Sequence, residues 1–218
     1  MPWQRAYSDA TSPKTKPGES VTPIEARVEA IATSIREAEG GLTAGTLIGL
    51  LGPTSHTMAI LVLSVLNMIP GPPGYGGTVA IAMMGVTLAM LLGWPLRLDG
   101  RIGQRRLSHR LVVRVVDRML MLARLFGRIS KPRLEWLAGE AAERVTGLFI
   151  LLVCLPMVVP IPLINAVPNV GIAVITVSRV NRDGAGVLLG AVIALIGLGI
   201  AVAAIWGVVH LARSVFGV

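Results

Sequence analysis

The chain has 218 residues, of which 53% are hydrophobic and only 15% carry a charge, whereas a soluble globular domain has about 25% charged residues. Three stretches, 40–96, 145–178 and 184–212, contain no Asp, Glu, Lys or Arg, and each exceeds the roughly 20 residues that span a bilayer as a helix. These features exclude an ordinary soluble domain and predict an all-α integral membrane protein.

The N-terminal residues, 1–22, are polar and rich in Pro, Ser and Thr, which is typical of a disordered tail, and they hold no apolar core of a signal peptide. A single membrane domain is predicted for 23–218. Its first element, 22–39, has a Thr-x-x-Glu capping box and one narrow apolar stripe, which predict an amphipathic helix on the bilayer surface or against the protein. The stripe consists of Ile24, Val28, Ile31 and Ile35.

The first half of the domain, 23–96, holds a long apolar block that is interrupted by NMIPGPPGYGGTVA at 67–80. Before the interruption, Gly41, Gly45 and Gly49 are spaced by four, so they share one helix face and are predicted to allow close helix packing. The prolines and glycines of the interruption predict a turn between two helices.

A basic segment follows at 97–133, where eleven Lys/Arg stand against two Asp within a net charge of +8. Short basic loops of membrane proteins are retained in the cytoplasm, so we expect this segment there, with no nucleic-acid partner. Its helix, 107–129, is predicted to lie in the membrane interface, with its apolar side in the bilayer and its arginines on anionic headgroups. These arginines are Arg106, Arg110, Arg114, Arg118, Arg124 and Arg128.

The second half, 134–213, contains a second proline-broken block and then an apolar helix, 184–212, that is long enough for one full crossing. Gly186 and Gly190 offer this C-terminal transmembrane helix a packing face, because residues four apart lie on the same side of a helix. The sequence after the second block therefore predicts one span that packs closely on a neighbour.

The two broken blocks are similar to each other, which predicts an internal repeat. Pro70 and Pro72 correspond to Pro160 and Pro162, and the helical runs beside them rise only about 13 to 20 Å, short of the roughly 30 Å hydrocarbon core. We therefore predict two proline-broken helical hairpins that turn partway through the membrane as re-entrant elements, related as inverted or as parallel repeats. Alternatively, each motif is an ordinary loop in water between full crossings, for which 40–96 is long enough.

A polar centre between the hairpin turns follows from this arrangement. Backbone that is not helical at bilayer depth must be enclosed by protein or line a watery cavity, because lipid cannot satisfy its N–H and C=O groups. Two turns that meet would shelter each other. The candidate residues of this site are Asn67, Pro70, Pro72, Tyr75, Thr78, Pro160, Pro162, Asn165, Pro168 and Asn169.

Catalysis has little support in the sequence. The three histidines lie far apart without metal-ligand spacing, and the single cysteine, Cys154, lies in an apolar run. The acidic residues that follow the two blocks, Asp99 and Asp183, are more typical of helix caps or ion pairs than of a catalytic pair. We expect no catalytic residue, no metal and no cofactor.

Several motifs together point to one family. They are LNMIPGPPG at 66–74, the apolar run that ends in Gly93-Trp94-Pro95, and GRIGQRRLS, PIPLINAVPN and RDGAGVLLG further along the chain. This ordered set resembles the exopolysaccharide-synthesis ExoD family of bacterial membrane proteins over about 25–213. Family members often carry a glutamine in the helix after the first motif, where this chain has Ala89 or a neighbour. The resemblance implies a multi-pass inner-membrane protein that takes part in exopolysaccharide production and biofilm matrix formation.

Two functions are consistent with these patterns. The first is a transporter-like protein that handles lipid or polysaccharide precursors, because duplicated halves with broken helices are characteristic of transport folds. The second is a non-catalytic membrane scaffold that assembles the exopolysaccharide machinery and associates with itself as a homodimer. A buried polar pocket between the hairpins would favour transport, and a solid apolar centre would favour the scaffold.

Overall fold

Every regular element that the structure, a computed structural model, describes is helical, so the predicted all-helical class is confirmed. The described residues are 22–37, 43–51, 55–69, 71–72, 74–96, 104, 108–127, 130–139, 142–159 and 165–216. The predicted tail lies outside them, apart from Thr22. The helices within these ranges are α1 (Pro23–Glu37), α2 (Ala44–Leu50), α3 (Ser55–Met68), α4 (Tyr75–Leu91), α5 (His109–Gly127), α6 (Glu135–Ala138), α7 (Glu143–Met157), α8 (Ala166–Val180) and α9 (Gly184–Phe216).

The two amphipathic helices, α1 and α5, pack against each other through their apolar faces. The predicted stripe of α1 is buried, and it joins one apolar cluster with residues of α3, α5 and α8. The face of α5 in this cluster consists of Val112, Val115, Val116, Met119 and Ala123. For these five residues the expectation that the apolar face lies in the bilayer is wrong, because protein covers them, whereas Leu125 of the same helix is exposed.

Four helices of 14 to 17 residues, α3, α4, α7 and α8, form the centre of the molecule. Each is only about 21 to 26 Å long, at a rise of about 1.5 Å per residue. α3 packs on α4 and on α8, and α4 packs on α7. Met83, Ile150, Cys154 and Ile172, from three of these helices, are fully buried in the shared core.

Both hairpins point in the same direction, because their turns meet: a Cβ on Gly77 at the start of α4 would lie 2.6 Å from the carbonyl oxygen of Val158 after α7. At one end of the centre, His56 Nε2 at the start of α3 lies 2.9 Å from the carbonyl oxygen of Trp94 beyond α4, and Glu143 at the start of α7 pairs with Arg179 near the end of α8. We call this the open end. At the other end, the turn end, α3 is followed by α4 and α7 by α8. An inverted relation between these hairpins does not fit, since it would place their turns at opposite ends.

The last helix, α9, packs antiparallel on α8 and extends far beyond it. Gly186 and Gly190 lie in this contact, where a Cβ on Gly190 would meet the backbone nitrogen of Ile175 at 2.7 Å. Among the described helices, α9 alone is long and apolar enough to cross a membrane, and only 22% of its apolar window is buried. This agrees with the predicted C-terminal transmembrane helix.

Not every predicted packing glycine lies in a close contact. A Cβ on Gly49 in α2 would have no heavy atom of the described residues within 4 Å, and Gly49 is exposed. Gly45 of the same helix is half-buried, and Gly41 lies outside the described residues. Among the described residues, Gly49 therefore does not take part in a tight interface like that of Gly186 and Gly190 on α9, and a packing role for Gly41 and Gly45 stays a prediction.

Candidate functional site

A cluster of asparagines lies between the two hairpin turns. Asn67 comes from the last turn of α3, and Asn165 immediately precedes α8. Both side chains converge on Gly76 in the first turn of α4, where a Cβ would lie 2.5 Å from Nδ2 of Asn165 and 3.1 Å from Oδ1 of Asn67. The absence of a side chain at Gly76 thus makes room for amides from the two halves of the chain, and we call Asn67, Asn165 and Asn169 the asparagine cluster.

Hydrogen bonds to the backbone fix how two of these amides are oriented. Asn165 donates from Nδ2 to the carbonyl oxygen of Met157 at 3.2 Å, and Asn169 donates from Nδ2 to the carbonyl oxygen of Asn165 at 2.6 Å. Because carbonyl oxygens only accept, the Nδ2 atoms must face them. The Oδ1 atoms of both residues, and both polar side-chain atoms of Asn67, are buried without a hydrogen-bond partner among the described residues.

Unpartnered polar atoms at this depth are costly, at about 1–3 kcal/mol for each group that has lost its water. Asn169 is fully buried and Asn67 is 7% exposed. Native proteins retain such groups where a water, an ion or a ligand completes the hydrogen bonds. The asparagine cluster offers both donors and acceptors without charge, which suits the hydroxyl groups of a sugar or a polyol.

The other predicted polar residues of the turns bond to backbone. Tyr75 donates from its hydroxyl to the carbonyl oxygen of Leu66 at 3.3 Å, and Thr78 donates from Oγ1 to that of Gly74 at 3.1 Å. Among the prolines, Pro72 is exposed and Pro168 is buried against α9. The remaining three candidates, Pro70, Pro160 and Pro162, lie outside the described residues.

The predicted lipid-facing arginines are exposed where they are described. Arg110, Arg114 and Arg118 lie on the outer face of α5, and Arg106 and Arg128 lie outside the described residues. Arg124 instead crosses to α1, where it pairs with two carboxylates. Its guanidinium lies 3.2 Å from Glu29 and 3.3 Å from Glu25, and the hydrogen bond that Arg124 donates to Glu29 is the largest cause that raises the pKa of Arg124. This arginine therefore ties α5 to α1.

A cleft of about 660 Å³ at the open end was not predicted from the sequence. Its charged wall combines α1, α3, α6, α7 and the connection from α8 to α9, and we call it the charged cleft. No local motif signals it, since its residues are spread over more than 150 positions. The only hint is that charges flank the apolar blocks. Its ionisable lining residues are Arg27, His56, Glu135, Glu143, Arg179 and Arg182.

Within the described residues, no group of three or more His, Cys, Asp or Glu side chains is placed to hold a metal ion. The expectations that the chain lacks a catalytic residue and a cofactor remain predictions.

Comparison with known proteins identifies the family. The model of the family described as "Exopolysaccharide synthesis, ExoD" matches residues 24–203, which is most of the chain. No curated protein and no solved structure matches this chain. The match includes both hairpins, the basic helix α5 and most of α9. The chain therefore belongs to the ExoD family, whose members are assigned to exopolysaccharide synthesis.

Proposed function

We propose that this protein is a multi-pass protein of the bacterial inner membrane that handles lipid-linked or polysaccharide precursors in a transporter-like way. The asparagine cluster carries the proposal, because both hairpins contribute buried, unpartnered amide atoms to one centre. A protein that served only as a membrane anchor would gain nothing from buried, unpartnered polar atoms, because each of them lowers its stability. Hydroxyl groups of a passing sugar or glycerol would complete their hydrogen bonds.

The packing of the central helices supports a parallel repeat. If the first hairpin is exchanged for the second, α3 takes the place of α7 and α4 takes that of α8. The contact of α3 with α8 then becomes the contact of α7 with α4, and both contacts exist. The polar contacts at the open end correspond in the same way. His56 with Trp94 closes the first hairpin, and Glu143 with Arg179 closes the second. The exchange is incomplete, because α3 packs closely on α4 whereas α7 hardly contacts α8. The contacts that do correspond are what an internal duplication would leave.

The length of α9 supports hairpins that turn inside the membrane. α9 starts beside the open end at Gly184, and a Cβ on Gly197 would lie 2.5 Å from the nitrogen of Pro168, in the first turn of α8. The turn end therefore lies about 20 Å along α9, which continues about 25 Å further to Ser214. If α9 crosses the roughly 30 Å core, both turns lie within it. In this orientation the open end and the basic segment are cytoplasmic.

We expect a spin label at Pro72→Cys to report a position inside the bilayer. Cys154 is fully buried, so the introduced thiol labels selectively. In nanodiscs, the label at 72 should be shielded from a water-soluble nickel chelate and accessible to oxygen. A label at Gln104→Cys, which is exposed in the basic segment, should show the reverse. Equal exposure of both labels to nickel would mean that the first motif is a loop in water.

The transport proposal predicts that leucine in the asparagine cluster slows precursor movement. In proteoliposomes, we expect the wild-type chain to speed the transbilayer movement of a fluorescent polyprenyl-phosphate sugar, and Asn67→Leu and Asn165→Leu to reduce the rate at least tenfold. Losing hydrogen bonds to a ligand costs about 1.5 kcal/mol or more, which is about tenfold. Ser214→Leu, at an exposed position on α9, should retain the rate. Equal rates in all variants and in empty vesicles would reject transport.

A membrane scaffold is the second candidate function, and one observation favours it. α7 exposes an apolar stripe at spacings of three and four, which is the pattern of a helix that contacts a partner helix or lipid. The stripe would serve assembly with a second copy or with the polysaccharide machinery. Its residues are Val145, Leu148, Leu152 and Leu155.

A further inference from the structure

The charged cleft at the open end lies apart from the asparagine cluster. His56 and Asn67 lie at opposite ends of α3, about 16 Å apart along the helix axis. The turn end holds neutral amides, whereas the cleft holds charged side chains from α1, α6, α7, α8 and the connection to α9. A function for the cleft therefore does not depend on what the asparagine cluster binds.

The charge of the cleft wall favours an anion. Three arginines, Arg27, Arg179 and Arg182, stand against two glutamates, Glu135 and Glu143. One glutamate is already matched, because Glu143 Oε2 lies 3.3 Å from Nη2 of Arg179. A guanidinium has five N–H donors, so Arg179 can bind Glu143 and an oxyanion together. Arginine is also the side chain whose planar fork best matches the oxygens of a phosphate.

The backbone at Arg182 is a second, independent observation. Arg182 connects α8 to α9 with a φ of 56°, in the left-handed region. Glycine or asparagine is favoured at such a helix end, because a larger side chain is strained there. The chain nevertheless has arginine at this position, and the side chain lines the cleft. This conformation costs some stability, and it places a guanidinium at the cleft wall, where the side chain can contact a ligand.

We propose that the charged cleft binds a phosphate group, with Arg182 and Arg179 as its main contacts. A volume of about 660 Å³ is within the range of pockets that take small organic ligands, so the cleft has room for a phosphate with its attached sugar or glycerol. The same chemistry is present in an anionic lipid headgroup and in a soluble sugar phosphate. His56 donates from Nε2 to the Trp94 carbonyl oxygen, which leaves the arginines as the principal donors.

The test uses the full chain in detergent and measures the thermal midpoint and the dissociation constant. A hexose 1-phosphate, the same hexose without phosphate, phosphatidylglycerol and phosphatidylcholine are added separately at matched ionic strength. For Arg182→Gly we expect two opposite changes. Relief of the strained backbone should raise the ligand-free midpoint by about 2–4 °C, and binding of the phosphate ligand should weaken at least tenfold.

The matched control is Leu134→Gly. Leu134 is the other described non-glycine residue whose backbone is left-handed, with a φ of 51°, and this substitution likewise replaces its side chain by hydrogen. It should leave phosphate binding unchanged. Binding of the hexose phosphate alone would identify a soluble ligand, and binding of phosphatidylglycerol alone would identify a lipid headgroup; each supports the phosphate site. If Arg182→Gly binds as tightly as the wild type, or if the hexose without phosphate binds as tightly as its phosphate, the proposal is wrong.

Discussion

Alanine at Gly171 should destabilise the protein by about 3 kcal/mol, at the upper end of the cost of overpacking a core. Gly171 lies in α8 where α9 crosses most closely. A Cβ there would clash with the backbone nitrogen of Ala194 and lie 2.7 Å from its Cα and Cβ. A flexible side chain could move aside, but the backbone of a helix cannot. We expect the thermal midpoint in detergent to fall by about 6–12 °C, and Gly171→Val to fall further.

The matched control is Gly199→Ala on α9. Gly199 is exposed, and no heavy atom of the described residues lies within 4 Å of the site of its Cβ. Alanine is a better helix former than glycine by about 0.5–1 kcal/mol, so this variant should be as stable as the wild type or slightly more. If the two substitutions changed the midpoint equally, the close contact of α8 with α9 would not contribute to stability.

Local patterns in the sequence predict the helices well. The charge-free blocks contain α3, α4, most of α8 and nearly all of α9. Prolines and glycines separate these helices, because such residues interrupt helices regardless of tertiary context. The stripe of α1 also predicts which face is buried. The periodicity of apolar residues predicts that a helix face is covered, but it does not predict whether protein or lipid covers it. Helix α5 is an example. Its apolar side covers α1 and the central helices, whereas the sequence favoured lipid.

Spacing alone does not distinguish a glycine in a tight contact from one in open space. Gly45 and Gly49 have the same spacing as Gly186 and Gly190. Gly186 and Gly190 face a helix that approaches closely, because the three-residue connection 181–183 folds α9 directly back on α8, whereas Gly49 has no described neighbour within 4 Å of its Cβ site. The partner of a small-residue face is a tertiary property, and a single sequence does not encode it locally.

The two candidate sites differ in the same way. The asparagine cluster could be predicted from the sequence, because its members lie beside the prolines of the two blocks. The charged cleft could not, because Arg27 and Arg182 are brought together only by the packing of α1 against the end of α8. One hydrogen bond records this contact: the backbone nitrogen of Ile24 donates to Oδ1 of Asn181 at 3.3 Å.

Removal of Glu143 should have the second large effect on stability. The Arg179 side chain is only 8% exposed, and Glu143 is its partner at 3.3 Å. Loss of one member of a buried ion pair typically costs about 3–5 kcal/mol, because the other charge remains buried without compensation. The Glu143 side chain is 38% exposed, so water screens part of this effect. We therefore expect Glu143→Ala to lower the free energy of unfolding by about 2–3 kcal/mol.

A double variant tests this cause. If the uncompensated guanidinium is responsible, Glu143→Ala combined with Arg179→Leu should recover most of the lost stability, since an apolar replacement of a buried pair is often neutral. The control is Glu29→Ala, which breaks one contact of the exposed Arg124 and should cost about 1 kcal/mol or less. If the losses in the free energy of unfolding of the two single variants simply add in the double variant, this explanation is wrong. Recovery of stability with loss of phosphate binding would separate the two roles of Arg179, because only the charged side chain can bind an anion.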